Sequence, residues 1–380
     1  MNHYNHRYIR LPIVYYHSIG LRNPDWNRNY LTLDVSQFVY HLQYFIKNYH
    51  IIGLRELSEI RMGVKKPQKN ALIITFDDGF LDNWIWAYPL LKKYGVKATI
   101  FVSPEFVDIR AGVRPNLEDY EKGRANQEEI TSEGYLSWEE MKTMEATELI
   151  DIQSHTLTHT KLIVSDKIVG FHHPGADVLY TIGNLFPREK PYSLGDKRFE
   201  RLIPYGYPPF EEKSAVIARK VTINPDFLNE CTDALRGYDF VNYKFIEVMA
   251  QVRPIYNVYR SKDNLIIGRE SEMEYSQRVD MEIGGSKKII EEKLAKKIEY
   301  LCWPHGDNNE ELHKKALEMG YVMTTQGKVP LIEKSKETRI PERIGANFST
   351  LRRKIKTVHK LKALAGKFPQ YLLFKIYRKI

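Results

Sequence analysis

Residues 71–80 read ALIITFDDGF, an apolar run that ends in two adjacent carboxylates, Asp77 and Asp78. Neighbouring like charges repel, and burying either without a partner costs on the order of several kcal/mol. A cationic partner is therefore expected beside them. Further along, SHTLTHT places His155 and His159 four residues apart, a spacing at which both imidazoles of one helical turn can face a common point. Each motif alone is bland. Asp and Gly are frequent where a strand runs into a turn, and histidine pairs at this spacing are commonly ordinary surface residues. Together, two imidazoles and one carboxylate form a three-ligand set that leaves positions open for water and substrate. One aspartate can bind a metal while the other stays free, and a bound cation relieves the repulsion between them.

The elements that must position these groups alternate along the chain. PIVYYHS (12–18), ALIITF (71–76), ATIFVS (98–103), ELIDIQSH (148–155), IEYLCWP (298–304) and YVMTTQ (321–326) read as strands. Between them DVSQFVYHLQYFIKNY (34–49), NWIWAYPLLKKYG (83–95), SWEEMKTM (137–144), KKIIEEKLAKKI (287–298) and NNEELHKKALEMG (308–320) carry helical periodicity. Asp34 or Ser36 suits the first helix as N-cap, Gly95 closes the second, and Ser137 with Glu140 fits a capping box. This alternation predicts a parallel sheet covered by helices, with its chemistry beyond the carboxyl ends of the strands. Asp77, Asp78, His155, Pro304–His305 and His17 all fall at that end. Residues 165–280 break the rhythm with proline- and tyrosine-rich runs and a hairpin-like YNVYRSKDNLIIGRES, and read as an insertion that shapes substrate access.

Composition sets the class. An apolar share of 43% and a charged share of 28% suit a soluble globular chain of 380 residues. Two distant cysteines, Cys231 and Cys302, offer no disulfide framework. MNHYNHRYIRLPIVYYHSIG lacks a secretory apolar core, and no stretch approaches the roughly 20 apolar residues that span a bilayer. The expectation is a cytoplasmic protein. Ten of the cationic side chains and no acid lie in residues 351–380, so of the net charge of +9 only −1 remains for the other residues once that +10 is subtracted. Leu351, Ile355, Val358, Leu361, Leu364, Ala365 and Phe368 recur at helical spacing there, which fits either a peripheral membrane contact or a helix packed on the body with its lysines in solvent. Nothing resembles a reader of nucleic-acid bases, and no nucleic-acid partner is expected.

TFDDG followed by AYPLLKKYGVKATIFV, YLSWEEMKTMEATELIDIQSHTLTH, and SKKIIEEKLAKKIEYLCWPHGDNNEELHKKALEMGYVMT resemble the three leading motif segments of the polysaccharide deacetylases of NodB-homology type, carbohydrate esterase family 4. LPIVYYHSIG and LTLDVSQFVYHLQYF are similar to the branch that deacetylates poly-β-1,6-N-acetylglucosamine. The resemblance spans roughly residues 10–162 and 283–345. It implies an α/β fold, a distorted (β/α) barrel of about seven strands, here with a large insertion and a basic helical tail. The implied pieces are residues 1–164 and 281–350 as barrel, 165–280 as insertion and 351–380 as tail. It implies Asp78, His155 and His159 as metal ligands, Asp77 as catalytic base, and a backbone N–H near Pro304–His305 for the oxyanion, with Trp303 and His305 lining the cleft.

The chain departs from the family pattern where an arginine usually precedes the third-motif proline by two residues; here that residue is Cys302. A late Leu-x-His motif, the usual source of the catalytic acid, is also missing. The poly-N-acetylglucosamine branch shares both departures, and there the YH strand at the N-terminus takes the part of the missing last strand, so the resemblance implies His17 as the acid; the alternative is that His17 only caps its strand. The implied cofactor is one divalent metal ion, zinc first, with Fe, Co or Ni also suited to the ligand set. The implied substrate is an N-acetylated amino sugar of a surface glycan or its lipid-linked precursor, and the implied place the inner face of a membrane. Two rivals remain: an amidohydrolase on another small N-acyl or C–N substrate, and a catalytically silent glycan-binding barrel. His172 and His173 read as loop residues, and Trp138 as either core or sugar platform.

Overall fold

The computed structural model describes residues 10–22, 29–130, 133–194 and 198–370. The first nine residues, and the aromatic and basic end of the tail from residue 371 on, lie outside them.

Eight strands form one continuous parallel order: β1 (Ile13–Tyr16), β2 (Ala71–Phe76), β3 (Ala98–Val102), β4 (Ile150–Ser154), β5 (Tyr300–Leu301), β6 (Met323–Thr325), β7 (Arg339–Ile340) and β8 (Arg343–Gly345). In space they run β7-β6-β5-β4-β3-β2-β1-β8, and His50–Ile51 adds a ninth strand beside β2. The sheet curls into the open, half-closed form of the NodB-type (β/α) barrel. This agrees with the expected distorted barrel of about seven strands; the short late pair β7 and β8 adds to the six strands read from the sequence.

Period-two alternation sorts the sheet's side chains into two cores. Leu72, Ile74 and Phe76 of β2 face the helices and join the main cluster with Val14, Tyr16, Ile100 and Ile152. Ala71 and Ile73 face the concave side with Ile13, Phe101, Tyr300, Cys302 and Ile340. All six residues of β2 are buried, as a parallel strand covered on both faces requires. The outer helices include α1 (Val35–Asn48), α2 (Tyr88–Tyr94), α3 (Trp138–Glu145), α4 (Glu272–Asp280), α5 (Ser286–Leu294), α6 (Glu310–Glu318) and α7 (Leu351–Leu364). Asp34 caps α1 through the Ser36 N–H at 2.8 Å. Ser137 and Glu140 form the expected capping box of α3. Gly95 ends α2 at φ 64°, where glycine meets no Cβ penalty.

Between β4 and α4 the chain leaves the sheet. Lys161–Ile168 pairs antiparallel with Phe210–Ser214, and Val221–Ile223 with Ile266–Arg269. These strands and a helix over Phe245–Ser261 enclose a separate cluster of Phe171, Phe210, Phe227, Val248, Val252 and Leu265. YNVYRS is the end of that helix, not half of a hairpin. Its β-branched and aromatic residues suit either state, and packing on the inserted core decided the matter.

α7 packs on the main body through Leu361 and, partly buried, Leu364, while Leu351 and Ile355 stay exposed. No described helix is long and apolar enough to cross a membrane.

Candidate active site

Parallel pairing in register brings the chemistry to one edge. Tyr16 pairs with Phe76, so His17 and Asp77 leave their strands side by side, tied by the Asp77 N–H to the Tyr16 carbonyl at 2.9 Å. Val102 pairs with Ser154, and Ser154 with Leu301, so His155 and Cys302 emerge together one residue later. The resulting cleft has a volume of about 410 Å³ and is lined by His17, Asp77, Asp78, His155, His159, Trp303, His305 and Arg343, among others.

The two carboxylates part company through backbone geometry. Asp77 continues the concave-facing phase of Ala71, Ile73 and Thr75. Asp78 turns left-handed, φ 73°, which aspartate tolerates better than most residues, and swings its carboxylate the other way. Gly79 follows at φ 68°, where a Cβ would sit 2.9 Å from a Val102 methyl carbon, so the turn requires glycine.

Asp78 Oδ1 lies 3.2 Å from His155 Nε2 and 3.1 Å from His159 Nε2. The three donor atoms converge. His155 is oriented from behind, its Nδ1 2.8 Å from the Cys302 carbonyl oxygen. With the ring proton donated there, Nε2 keeps its lone pair, the form a metal ligand needs. A buried imidazole, a half-buried imidazole and a half-buried carboxylate, open on the cleft side, fit a divalent cation. Burial pushes the Asp78 carboxyl up, but the charge and hydrogen bonds of His159 and His155 outweigh it and hold the group well below the usual carboxylate value.

The convergence does not arise from a helical turn, as the spacing had suggested. The segment from His155 to His159 is irregular, with Thr156 at φ 64° and His159 at φ 44°.

Asp77 is held by a different cation. Arg343 Nη1 and Nη2 donate to its two oxygens at 2.6 and 2.8 Å, a bidentate pair, and Nη1 also reaches Thr75 Oγ1 at 3.1 Å. Burial raises the Asp77 carboxyl, yet Arg343, with His155 and His17, brings it below its ordinary value. Arg343 Nη2 also lies 3.0 Å from Cys302 Sγ. Asp77, His155 and Cys302 form a second set of converging donors, but the guanidinium already occupies both Asp77 oxygens and the sulfur. A cation is thus steered to Asp78 and away from Asp77.

Arg343 was missed in the sequence. It stands far from every motif, at the start of the three-residue β8, and only its pairing beside β1 shows that it faces the concave side. The one legible signal was negative: a buried Asp77 demanded a cation, and Cys302 stood where the family places one.

His17 lies in the cleft, its ring set edge-on to Tyr15 at 5.6 Å, and its carbonyl accepts from Asn83 Nδ2 at 2.9 Å. Trp303 is buried in the main core and borders the cleft. Pro304 is buried beneath the turn and is not among the lining residues. His305, at φ 57°, packs its ring 4.8 Å from that of His159, and Tyr180 of the inserted region meets its Nε2 at 3.2 Å. Burial, then His159 and Lys161, push the His305 imidazole down to about 2, so it stays neutral. His172 and His173 stay in the inserted region, one bonded to the Glu200 carbonyl, the other stacked on Tyr243. Trp138 is partly buried against the main core.

Residues 64–175 match the family model described as polysaccharide deacetylase. YxkH of Bacillus subtilis, provisionally named a polysaccharide deacetylase, is 35% identical over 154 residues, covering 40% of this chain and 44% of that protein's length. The match thus spans less than half of that relative. Among solved structures, the de-N-acetylase of Aggregatibacter actinomycetemcomitans superposes with a TM-score of 0.53 over 91% of this chain and 98% of that one, at 15% identity. The BpsB deacetylase domain of Bordetella bronchiseptica gives 0.50 over 89% and 96%, at 14% identity. At such identities the structures speak to the fold alone, while the match to the polysaccharide deacetylase family model covers the stretch that carries Asp77, Asp78, His155 and His159.

Proposed function

We propose that this chain is a metal-dependent N-deacetylase that removes acetyl groups from an N-acetylated amino sugar of a surface glycan or its lipid-linked precursor. The observation that carries the reading is the division of labour at the end of β2: Asp78 converges with two imidazoles, while Asp77, one residue earlier, is clamped by Arg343.

Asp78, His155 and His159 would hold the ion, zinc by preference, which when bound supplies Lewis-acid polarisation of an amide carbonyl and of water. Asp77, kept ionised and fixed by Arg343, accepts the proton of the attacking water. The His305 N–H would be the donor to the developing oxyanion, since Pro304 has no N–H to give, and the Trp303 and Gly306 N–H groups are spent on Thr325 Oγ1 and the Trp303 carbonyl, each at 3.0 Å. His17, beside Asp77 at the end of the neighbouring strand, gives a proton to the departing nitrogen, without which an amine leaves poorly. Acetate and a free amino sugar result. α7 presents Leu351 and Ile355 amid cations, and this face would meet an anionic membrane surface at the cytoplasmic side, where a lipid-linked glycan is built.

The test is acetate release from N-acetylglucosamine oligomers, with small N-acyl amides as controls. Chelation should abolish release and zinc or cobalt restore it, and His17→Asn should cost about 10²-fold or more. Release from small amides alone would favour the amidohydrolase rival. Stoichiometric metal without any release would favour a silent binding barrel.

A further inference from the structure

The loop that carries both histidines is strained and has to be held. Thr156, a β-branched residue, sits at positive φ, and so does His159. Such conformations persist where the surroundings over-determine them. Here the surroundings are one carboxylate and its neighbours. Glu282 Oε2 accepts the N–H groups of Leu157 and Thr158 at 3.2 and 3.0 Å, and its Oε1 accepts the Thr158 hydroxyl at 2.5 Å. The side chain is 2% exposed. A carboxylate at that depth is costly unless its bonds are filled, and all three bonds shown go to the segment between the two histidines.

Glu282 reaches the loop because the helix bearing it is locally widened. Met281–Gly285 is a turn of π-helix between α4 and α5, a distortion that recurs at functional sites. On the loop's other side, Lys190 of the inserted region, 3% exposed, donates to the Thr158 carbonyl at 3.3 Å and pairs with Glu105. The Glu105 N–H takes the Leu157 carbonyl at 3.2 Å. Both peptide carbonyls and both N–H groups at the centre of the loop are thereby fixed.

We infer that Glu282 is a positioning residue that holds His155 and His159 at the spacing a divalent cation needs, with Lys190 as a lock supplied by the inserted region; this rests on the deacetylase reading of the site. It gives the inserted region a role in cation affinity as well as in the cleft wall.

The test is Co²⁺ titration of the metal-stripped full chain, followed by visible absorbance, with Zn²⁺ competition. Glu282→Ala should weaken Co²⁺ binding about 10–100-fold and alter the absorbance envelope. Glu282→Gln, which can still accept both N–H groups, should stay within about fivefold, and Lys190→Met should fall between the two. An alanine variant indistinguishable from the parent, or a glutamine variant as weak as alanine, overturns the inference and leaves the deacetylase reading intact. A parent protein that takes up no Co²⁺ overturns both. Should Glu282→Ala not fold, Thr158→Val removes one bond from the same carboxylate; about threefold weaker Co²⁺ binding supports the inference, and unchanged affinity overturns it.

Discussion

The floor of the cleft and the turn behind it each bury an aspartate, and the two settle differently. Asp77 is 5% exposed and Asp82 4%. Asp77 meets a guanidinium and titrates below its ordinary value. Among the described residues Asp82 meets only neutral donors: the Ser18 hydroxyl, the Ile19 N–H and, at 2.9 Å, Asn83 Nδ2. Burial pushes its carboxyl up to about 7, against which those bonds pull only partly. Depth alone therefore does not decide whether a carboxylate in this turn is a base. A fixed cation does, and Arg343 is placed to supply one to Asp77 without competing for Asp78.

Breaking that arrangement at the reacting groups should have the largest effect. Asp77→Asn should lower acetate release about 10²–10⁴-fold while Co²⁺ still binds stoichiometrically. Asp78→Ala should cost at least as much and lose the cobalt as well. Asp82→Asn, behind the cleft, should cost less than about tenfold, since it reaches the site only indirectly, through Asn83 to the His17 carbonyl and through Ser18, the residue after His17. Equal losses for Asp77→Asn and Asp82→Asn, measured as kcat/KM on the same oligomer, would erase the distinction between the two positions.

How much of this was legible beforehand follows from how local each signal is. ALIITFDDGF announces a buried strand and its turn, because a run of five apolar residues and one threonine, closed by a glycine, is a local fact. The carboxyl-end placement of Asp77, His155 and His17 follows from strand alternation alone. The means of convergence was not legible: His155 and His159 meet through left-handed residues held by Glu282, whose place near the loop is set by tertiary packing and by a π-turn that leaves no clear trace in MEIGG. Arg343 was hidden for the same reason. A three-residue strand carries too little periodicity to show which way its side chains face, and the contact joins residues at opposite ends of the sequence. The inserted region's own core likewise rests on pairings between distant segments.

Next in size is Arg343 itself. Arg343→Met would leave Asp77 in the situation of Asp82, buried without a cation. Removing one partner of a buried ion pair costs about 3–5 kcal/mol, which urea denaturation followed by circular dichroism would read. Asp77→Asn in the Arg343→Met background should recover most of that loss, because an amide needs no counter-charge. If the double variant is no more stable than Arg343→Met alone, the guanidinium's worth lies in its bonds to Thr75 and Cys302 instead.

The smallest effect concerns Asp82, and its sign is opposite to that of a paired carboxylate. Its folded value is about 7 and its ordinary value 3.8, so between those two the folded protein binds more protons than the unfolded chain. Stability then falls as pH rises from about 4 to 7 and levels off above. Three units correspond to roughly 4 kcal/mol at most, with the bonds that Ser18 and Ile19 give to the ionised group already counted in the value of about 7. Asp82→Asn removes the titration while keeping an oxygen that accepts from the Ile19 N–H, and the Ser18 hydroxyl can turn to accept from the new amide. Denaturation midpoints measured between pH 5 and 8 should slope downward for the parent relative to the Asn variant and converge toward the acid end. Parallel curves would mean that Asp82 has a cation partner after all, and the contrast with Asp77 would lose its physical basis.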